Sequence, residues 1–245
     1  MPTRRFLAFV VPFLAVLAGG LAVPAGAAPS DGTRDVSFGS GGARVFAWNQ
    51  GGALADWVHD VVADGDGNLF LVGSFNSSFG DDDWGILELN AAGNWVNWQF
   101  FAFDLGGSNT DVATAVRLDG AGGLLIAGEA RTATGVEVRL CRLKTSDLTL
   151  DLTFGSGGCA AYSYLATSLW AAGLARAGDG GWLVAGQLDW GGGDSDFFVV
   201  KFTSAGLLDT NFNWLDLFHP GMAVVPVNLV AGGYDVARAM AVDHQ

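Results

Sequence analysis

The sequence predicts an all-β chain, a β-propeller-like array of four-stranded blades, and three observations carry that prediction. Ser37 to Gly42 reads SFGSGG and Thr153 to Gly158 reads TFGSGG, 116 residues apart, or twice 58. Three short apolar runs centre on a glycine: LFLVGSF (Leu69 to Phe75), LLIAGEA (Leu124 to Ala130) and WLVAGQL (Trp182 to Leu188). Their glycines, Gly73, Gly128 and Gly186, are spaced by 55 and 58 residues. A fixed period of this size is the signature of a repeat architecture. Apolar residues also stand at consecutive positions, as in Leu69-Phe70-Leu71-Val72, which means a sheet buried on both faces. Four-stranded sheets packed face to face around an axis meet that requirement. A sandwich would show stricter in-and-out alternation and no such period.

Residues 1–28 read as a signal peptide. Arg4 and Arg5 precede an apolar run from Phe6 to Val23, which ends in Pro24-Ala25-Gly26-Ala27-Ala28. A positive start, an apolar stretch and a small-x-small end suit a signal peptidase, with cleavage after Ala27 or Ala28. An uncleaved anchor is the competing reading, since the run approaches spanning length, but Pro12, Gly19 and Gly20 interrupt it. The expectation is a secreted, periplasmic or cell-surface protein with no membrane span after signal removal.

The repeats occupy residues 29–245, in approximate units 38–96, 97–153, 154–212 and a partial 213–245. The strands of the first are expected at about Val58 to Ala63, Asn68 to Phe75, Asp83 to Asn90 and Val96 to Phe103. They are short, rich in Val, Phe, Trp and Leu, and bounded by turn residues. Glycine turns precede the second strands at Asp64-Gly65-Asp66-Gly67, Asp119-Gly120-Ala121-Gly122 and Gly178-Asp179-Gly180-Gly181. Third strands come next as DWGILELN from Asp83, EVRLCRLK from Glu137 and DFFVVKFT from Asp196.

Phe154-Gly155-Ser156-Gly157-Gly158, Leu183-Val184-Ala185-Gly186 and Ala205-Gly206-Leu207-Leu208-Asp209 together resemble the delta-60 repeat, a bacterial propeller-type family. The resemblance spans nearly all of residues 35 to 245 and implies a propeller fold and export, with no shared catalytic residues. The intervening copy departs from it, with Trp98-Gln99-Phe100 in place of the F-G-x-G-G turn.

Both ends read as partial. Ala43 to Trp48 matches a fourth strand and Asp235 to Val242 a first strand. A mature chain of about 217 residues holds about 3.7 periods, whereas propellers use four to eight blades. Truncation is the favoured explanation, so that the missing strands come from the rest of a longer chain. A sheet completed by another chain and an open array are the alternatives.

Charge narrows the partners. The formal net charge is −13, and losing the two signal arginines takes it to about −15, against nucleic acid or an anionic membrane. In an antiparallel meander the loops into first strands share an end with those between second and third strands. That end carries Asp56, Asp81, Asp82, Asp83, Asp104, Asp111, Asp189, Asp194, Asp196 and Asp235, with Arg131 as its obvious cation. Asp81, Asp82, Asp83, Asp194 and Asp196 are the candidate metal ligands, and Ca²⁺ is the metal that clustered carboxylates suit. The plain alternative is that turns favour aspartate. Asp64-Gly65-Asp66-Gly67-Asn68 reads as a hairpin turn, because Leu69 and Phe75 stand where an EF-hand needs glycine and glutamate.

Trp190 lies in a loop of the acidic end as a candidate for stacking on a sugar. Cys141 and Cys159 fall on neighbouring strands, which in an oxidising compartment predicts a disulfide, with buried thiols as the alternative. Asn76-Ser77-Ser78 is a glycosylation sequon. His59, His219 and His244 sit beside no nucleophile motif. The function expected is a binding or scaffolding module for a protein or carbohydrate of unknown identity, not a declared enzyme. Two alternatives stand: an exported hydrolase or lyase with an acidic, Ca²⁺-dependent mouth, and a structural spacer of a larger surface protein.

Overall fold

The computed structural model describes residues 32–46, 56–76, 81–106, 110–164, 168–213, 219–226 and 235–243. The signal segment, Trp48, Ser77, Ser78 and His244 lie outside them. Among the described residues all twelve regular elements are strands: β1 (Trp57–Ala63), β2 (Leu69–Asn76), β3 (Asp82–Leu89), β4 (Trp95–Phe101), β5 (Val112–Leu118), β6 (Gly123–Thr132), β7 (Gly135–Lys144), β8 (Cys159–Ser163), β9 (Ser168–Arg176), β10 (Trp182–Gly191), β11 (Asp194–Phe202) and β12 (Met222–Val225). They form three antiparallel four-stranded meanders, β1 to β4, β5 to β8 and β9 to β12. These are blades 1, 2 and 3 of an unclosed propeller.

One local device recurs in every blade. The first strand carries a bulge against the second, at His59, Thr114 and Ala172, where the register skips a residue. The backbone there passes directly over the glycine of the V-x-G run. A Cβ on Gly73, Gly128 or Gly186 would lie 1.8, 2.2 or 1.9 Å from the carbonyl oxygen of Trp57, Val112 or Trp170. Only glycine admits that approach, which is why the run ends on it each time.

The blades stack through two apolar layers. Phe70, Val72, Trp84 and Ile86 of blade 1 meet Leu124, Ile126 and Leu143 of blade 2. Leu125, Ala127, Val138 and Leu140 of blade 2 meet Val184, Phe198, Val200 and Phe202 of blade 3. Alternation along each second and third strand therefore sends one set of side chains to the preceding blade and the other to the following one.

The F-G-S-G-G turn is an inter-blade clamp. Gly155 donates its N–H to Ala205 O at 2.8 Å, and the Phe154 ring lies over Gly206. Gly39 and Phe38 do the same to Ala92 and Gly93. An aspartate opens each turn: Asp35 and Asp151 accept from the N–H of Ser37 and Thr153 at 2.9 and 3.1 Å. A third copy starts at Asp209, which accepts from Asn211 N–H, and closes with Gly221 N–H on Phe212 O. Trp98-Gln99-Phe100 is not a replaced turn: it lies inside β4. Blade 1 instead joins β3 to β4 by the tight turn Asn90–Asn94 and omits the clamp altogether.

A cation ties the Phe154 and Phe212 clamps to their blades. Arg142 bridges Asp119 at 2.6 Å and also pairs with Asp151, while Lys201 pairs with Asp179 and with Asp209 at 3.0 Å. Glu88 holds the corresponding place in blade 1; burial, then Asp64, pushes its carboxyl up. Cys141 and Cys159 are register partners on β7 and β8, joined by a disulfide with Cα atoms 4.0 Å apart. Their counterparts are Leu87 with Trp98 and Val200 with Met222.

Both end segments dock without joining a sheet among the described residues. Arg44 to Phe46 follow the Phe38 clamp as β8 follows the Phe154 clamp, and Val45 is 77% exposed. Residues 235–243 lie against blade 3 as β5 lies against blade 1, with the Met240 backbone close over Gly173. Gly186→Ala should therefore lower stability by about 3 kcal/mol or more in urea unfolding. Gly178→Ala, whose Cβ would meet nothing within 4 Å, should stay within about 0.5 kcal/mol of the parent.

Candidate functional site

The antiparallel meander places the predicted aspartates at one end. Asp81 precedes β3, Asp82 and Asp83 open it, Asp194 opens β11, and Asp196 comes two residues on. Asp83 and Asp196 hold one repeat position, opposite Phe75 and Leu188 on the second strands. The same position in blade 2, opposite Ala130, is Glu137. All three acids are buried. Aligning the third strands on their facing glycines would have found Glu137 from sequence alone.

Each blade answers its buried acid differently. Glu137 accepts from Arg139 Nε at 2.5 Å and from Ser163 Oγ at 3.3 Å. Asp196 Oδ2 accepts from Trp190 Nε1 at 2.7 Å, while its Oδ1 is sealed and unpartnered. Asp83 Oδ1 is likewise sealed without a partner. Burial, then Asp81, Asp111, Asp104 and Asp82, pushes the Asp83 carboxyl up to about 6.

Asp111 brings blades 1 and 2 together at this end. Its N–H donates to Asp82 O at 2.6 Å, and its carboxylate accepts from Phe103 N–H at 2.9 Å and Arg131 N–H at 3.1 Å. Burial raises its pKa despite those bonds. Arg139 is a second cation at this end: it lowers the Asp111 pKa and lies over the Phe103 ring at 4.4 Å. Asn76 of the sequon is engaged, donating to Asp81 O and Asp82 Oδ1 at 3.2 and 3.0 Å.

Blade 3 carries an aromatic group beside its acids. Trp190, expected in a loop, lies instead near the end of β10 at a register shift; 42% exposed, it meets Tyr164 edge-on at 5.6 Å between centroids, and Tyr164 Oη bonds His219 Nε2 at 2.6 Å. Asp196 holds the indole by its N–H, which fixes the ring that sugar stacking requires. The Asp81–Asp83 and Asp194–Asp196 sets belong to blades 1 and 3, with blade 2 between them. Among the described residues, no three His, Cys, Asp or Glu side chains group as a metal-holding set. Asp64 is spent on its hairpin, accepting from Asp66 and Asn68 N–H at 2.9 and 2.8 Å. His59 sits at the β1 bulge, and burial lowers its pKa.

Sequence reasoning also missed Glu129. It comes after Gly128 on β6 as Ser74 comes after Gly73 and Gln187 after Gly186, so one position is polar in every blade. Glu129 Oε2 is sealed from solvent with no hydrogen-bond partner. Burial pushes its carboxyl from 4.5 up to about 8; Arg131 opposes that and Asp111 adds to it. The folded chain thus keeps a proton that the unfolded chain releases near 4.5, so stability falls as pH rises from about 4.5 to about 8. Glu129→Gln should match the parent near pH 4 and exceed it at pH 8.5, by on the order of 4 kcal/mol. Thermal unfolding at both pH values checks this, and parallel Tm curves for the two proteins would refute it.

A family model described as "Domain of unknown function (DUF5122) beta-propeller" matches residues 122–154 and 177–212. Each stretch runs from the turn before a second strand to the phenylalanine of the clamp turn, Phe154 or Phe212. No curated protein matches the chain. The matched stretches and the three sheets agree that this chain carries β-propeller repeats.

Proposed function

We propose that the chain is the exported, delta-60-type binding or scaffolding part of a bacterial surface or secreted protein, and that its acidic end is the working surface. The observation that carries this reading is the crowding of Asp81, Asp82, Asp83, Asp104 and Asp111 at the junction of blades 1 and 2, which adds to burial in raising the Asp83 carboxyl to about 6. Crowded carboxylates on rigid strand ends attract cationic ligands, from Ca²⁺ to a basic segment of another protein. The signal-like start at Arg4 to Ala28 supports export. The exposed Trp190 beside Asp196 supports a sugar as a second ligand class.

Calorimetric titration at low salt with CaCl2 and with poly-L-lysine tests the reading. At least one probe should bind, and Asp81→Asn with Asp83→Asn should weaken it about tenfold, a loss of about 1.4 kcal/mol. Binding should also fade as pH drops through 6, where Asp83 takes up its proton. Heat from neither probe would remove the acidic end from the proposal. Expression in a secreting bacterial host tests export separately: the released protein should begin at Ala28 or Pro29, and retention of Met1 would refute cleavage.

A further inference from the structure

A cavity of about 280 Å³ lies where β5, β9 and residues 240–242 meet, at the end of the blades that carries the clamp turns. Arg117, Leu174, Arg176, Trp182, Met240 and Val242 line it, and among the described residues no acid does. Its chemistry departs from the repeat. The last register pair of first and second strands is Ala63 with Leu69 in blade 1 and Leu118 with Leu124 in blade 2. In blade 3 that apolar pair becomes Arg176 with Trp182. Arg117, opposite Leu125, likewise stands where blade 1 has Val62 and blade 3 has Ala175. Sister blades form without either cation, so blade formation does not account for the two arginines.

Both guanidiniums are held by one nitrogen. Arg117 Nη1 donates to Asp60 Oδ2 at 2.7 Å and to Val116 O at 2.6 Å. Arg176 Nη1 donates to Asp119 O at 2.8 Å, and its Cζ lies 5.7 Å from the Trp182 ring centroid. Among the described residues the Nε and Nη2 groups of both side chains meet no further acceptor. Trp182 is 3% exposed, and its indole N–H has no acceptor there either. Asp60 is the counter-ion of Arg117, while Asp119 turns its carboxylate to Arg142. Arg176 is left without a carboxylate of its own.

We propose that this cavity binds a small organic monocarboxylate, with its carboxylate on Arg176 and Arg117 and its apolar body among Leu174, Trp182, Met240 and Val242. A guanidinium fork matches the two oxygens of a carboxylate. One guanidinium without a counter-ion suits one negative charge, and a phosphate monoester would bring a second that nothing here meets. A volume of about 280 Å³ holds about nine water-sized groups. That is the size of a short aromatic acid, and too little for a fatty chain or a nucleotide. The cavity lies at the end away from the acidic crowd, so the proposal stands independently of the ligand proposed there.

The probe is phenylacetate, titrated into the whole protein by calorimetry and followed in parallel through the indole N–H resonances, with Trp182 assigned by Trp182→Phe. A dissociation constant of about 1 mM or lower is expected for a ligand of this size, with the Trp182 resonance moving along the same isotherm. Phenylacetamide keeps the shape and loses the charge, whereas acetate keeps the charge and loses the body. Each should bind at least about tenfold more weakly. Arg176→Leu copies Leu118 of blade 2, so it should keep the parent's near-ultraviolet spectrum and weaken phenylacetate at least about tenfold. Arg176→Lys should recover part of that loss. No binding at about ten times the expected constant would overturn the proposal. So would equal binding of phenylacetamide, tighter binding of phenyl phosphate, unchanged affinity in Arg176→Leu, or a Trp182 resonance that stays still while phenylacetate binds.

Discussion

Everything in this fold hangs on a backbone-to-backbone contact: the bulged first strand of each blade lies on the glycine of the second. At Gly73, Gly128 and Gly186 the opposing carbonyl leaves no volume for a side chain. The bulge adds twist to the first strand, which is an edge strand of its sheet. That twist turns each meander relative to the next, so the outward side chains of one blade meet the inward side chains of its successor. The contact also fixes the direction of the next side chain. Ser74, Glu129 and Gln187 come one residue after the glycine, and the alternation of the pleat sends all three toward the following blade. A polar residue between apolar layers is a consequence of register, and it explains how Oε2 of Glu129 comes to be sealed.

A second layer of constraint acts at the opposite end, through charge. The D-x-x-F turn, its glycines and one cation form a unit: Asp119, Arg142 and Asp151 in blade 2, Asp179, Lys201 and Asp209 in blade 3. The Asp179 hydrogen bond raises the Lys201 pKa, and the Lys201 bond lowers that of Asp209, the mutual preference expected of a real pair. Blade 1 keeps only the first aspartate of the unit, Asp64, which accepts from Asp66 and Asn68 N–H. It lacks the turn, carries Glu88 in place of the cation, and reaches the next hairpin through Asn97 Nδ2 on Asp147 O at 3.2 Å and through the apolar cluster that holds Leu148. Blade 2 compensates locally. Where Gly93 and Gly206 lie under a phenylalanine, it has Leu148, left-handed at φ 58° and fully buried. A leucine in that conformation is strained, and its burial in the space a ring fills elsewhere offsets the strain.

Strand existence and order were legible because period and composition report them directly. The expected Val58 to Ala63 and Asp83 to Asn90 differ from β1 and β3 by no more than a residue at each end. The end segments, expected as a fourth and a first strand, join no sheet among the described residues. What sequence hid were offsets in length. Phe212 and Gly221 stand nine apart where Phe154 and Gly158 stand four apart, so the third clamp broke its own pattern and escaped notice. Blade 1 drops the clamp, and a search at fixed period then lands on Trp98-Gln99-Phe100, which is strand. At the acidic end the aspartate-rich loops stood out by composition. Glu137 and Glu129 did not, since single acids inside apolar strands acquire meaning only once cross-strand register is known.

Register also shows what is unusual about that end. Asp83, Glu137 and Asp196 occupy one position, and each is buried. Burying a carboxylate costs several kcal/mol unless a partner answers it, and an apolar residue of similar size is often more stable there. Glu137 is answered by a guanidinium, Asp196 by an indole N–H, and Asp83 by neither. Stability alone would select against this series, most strongly at Asp83, where four neighbouring carboxylates worsen the cost. Solubility does not account for it either, because solubility needs charge at the surface and these three are inside. The cationic ligand proposed above would supply the compensation that the fold itself does not. On that proposal, blade 1, where Asp83 Oδ1 is sealed without a partner, is where a ligand cation would gain most by arriving.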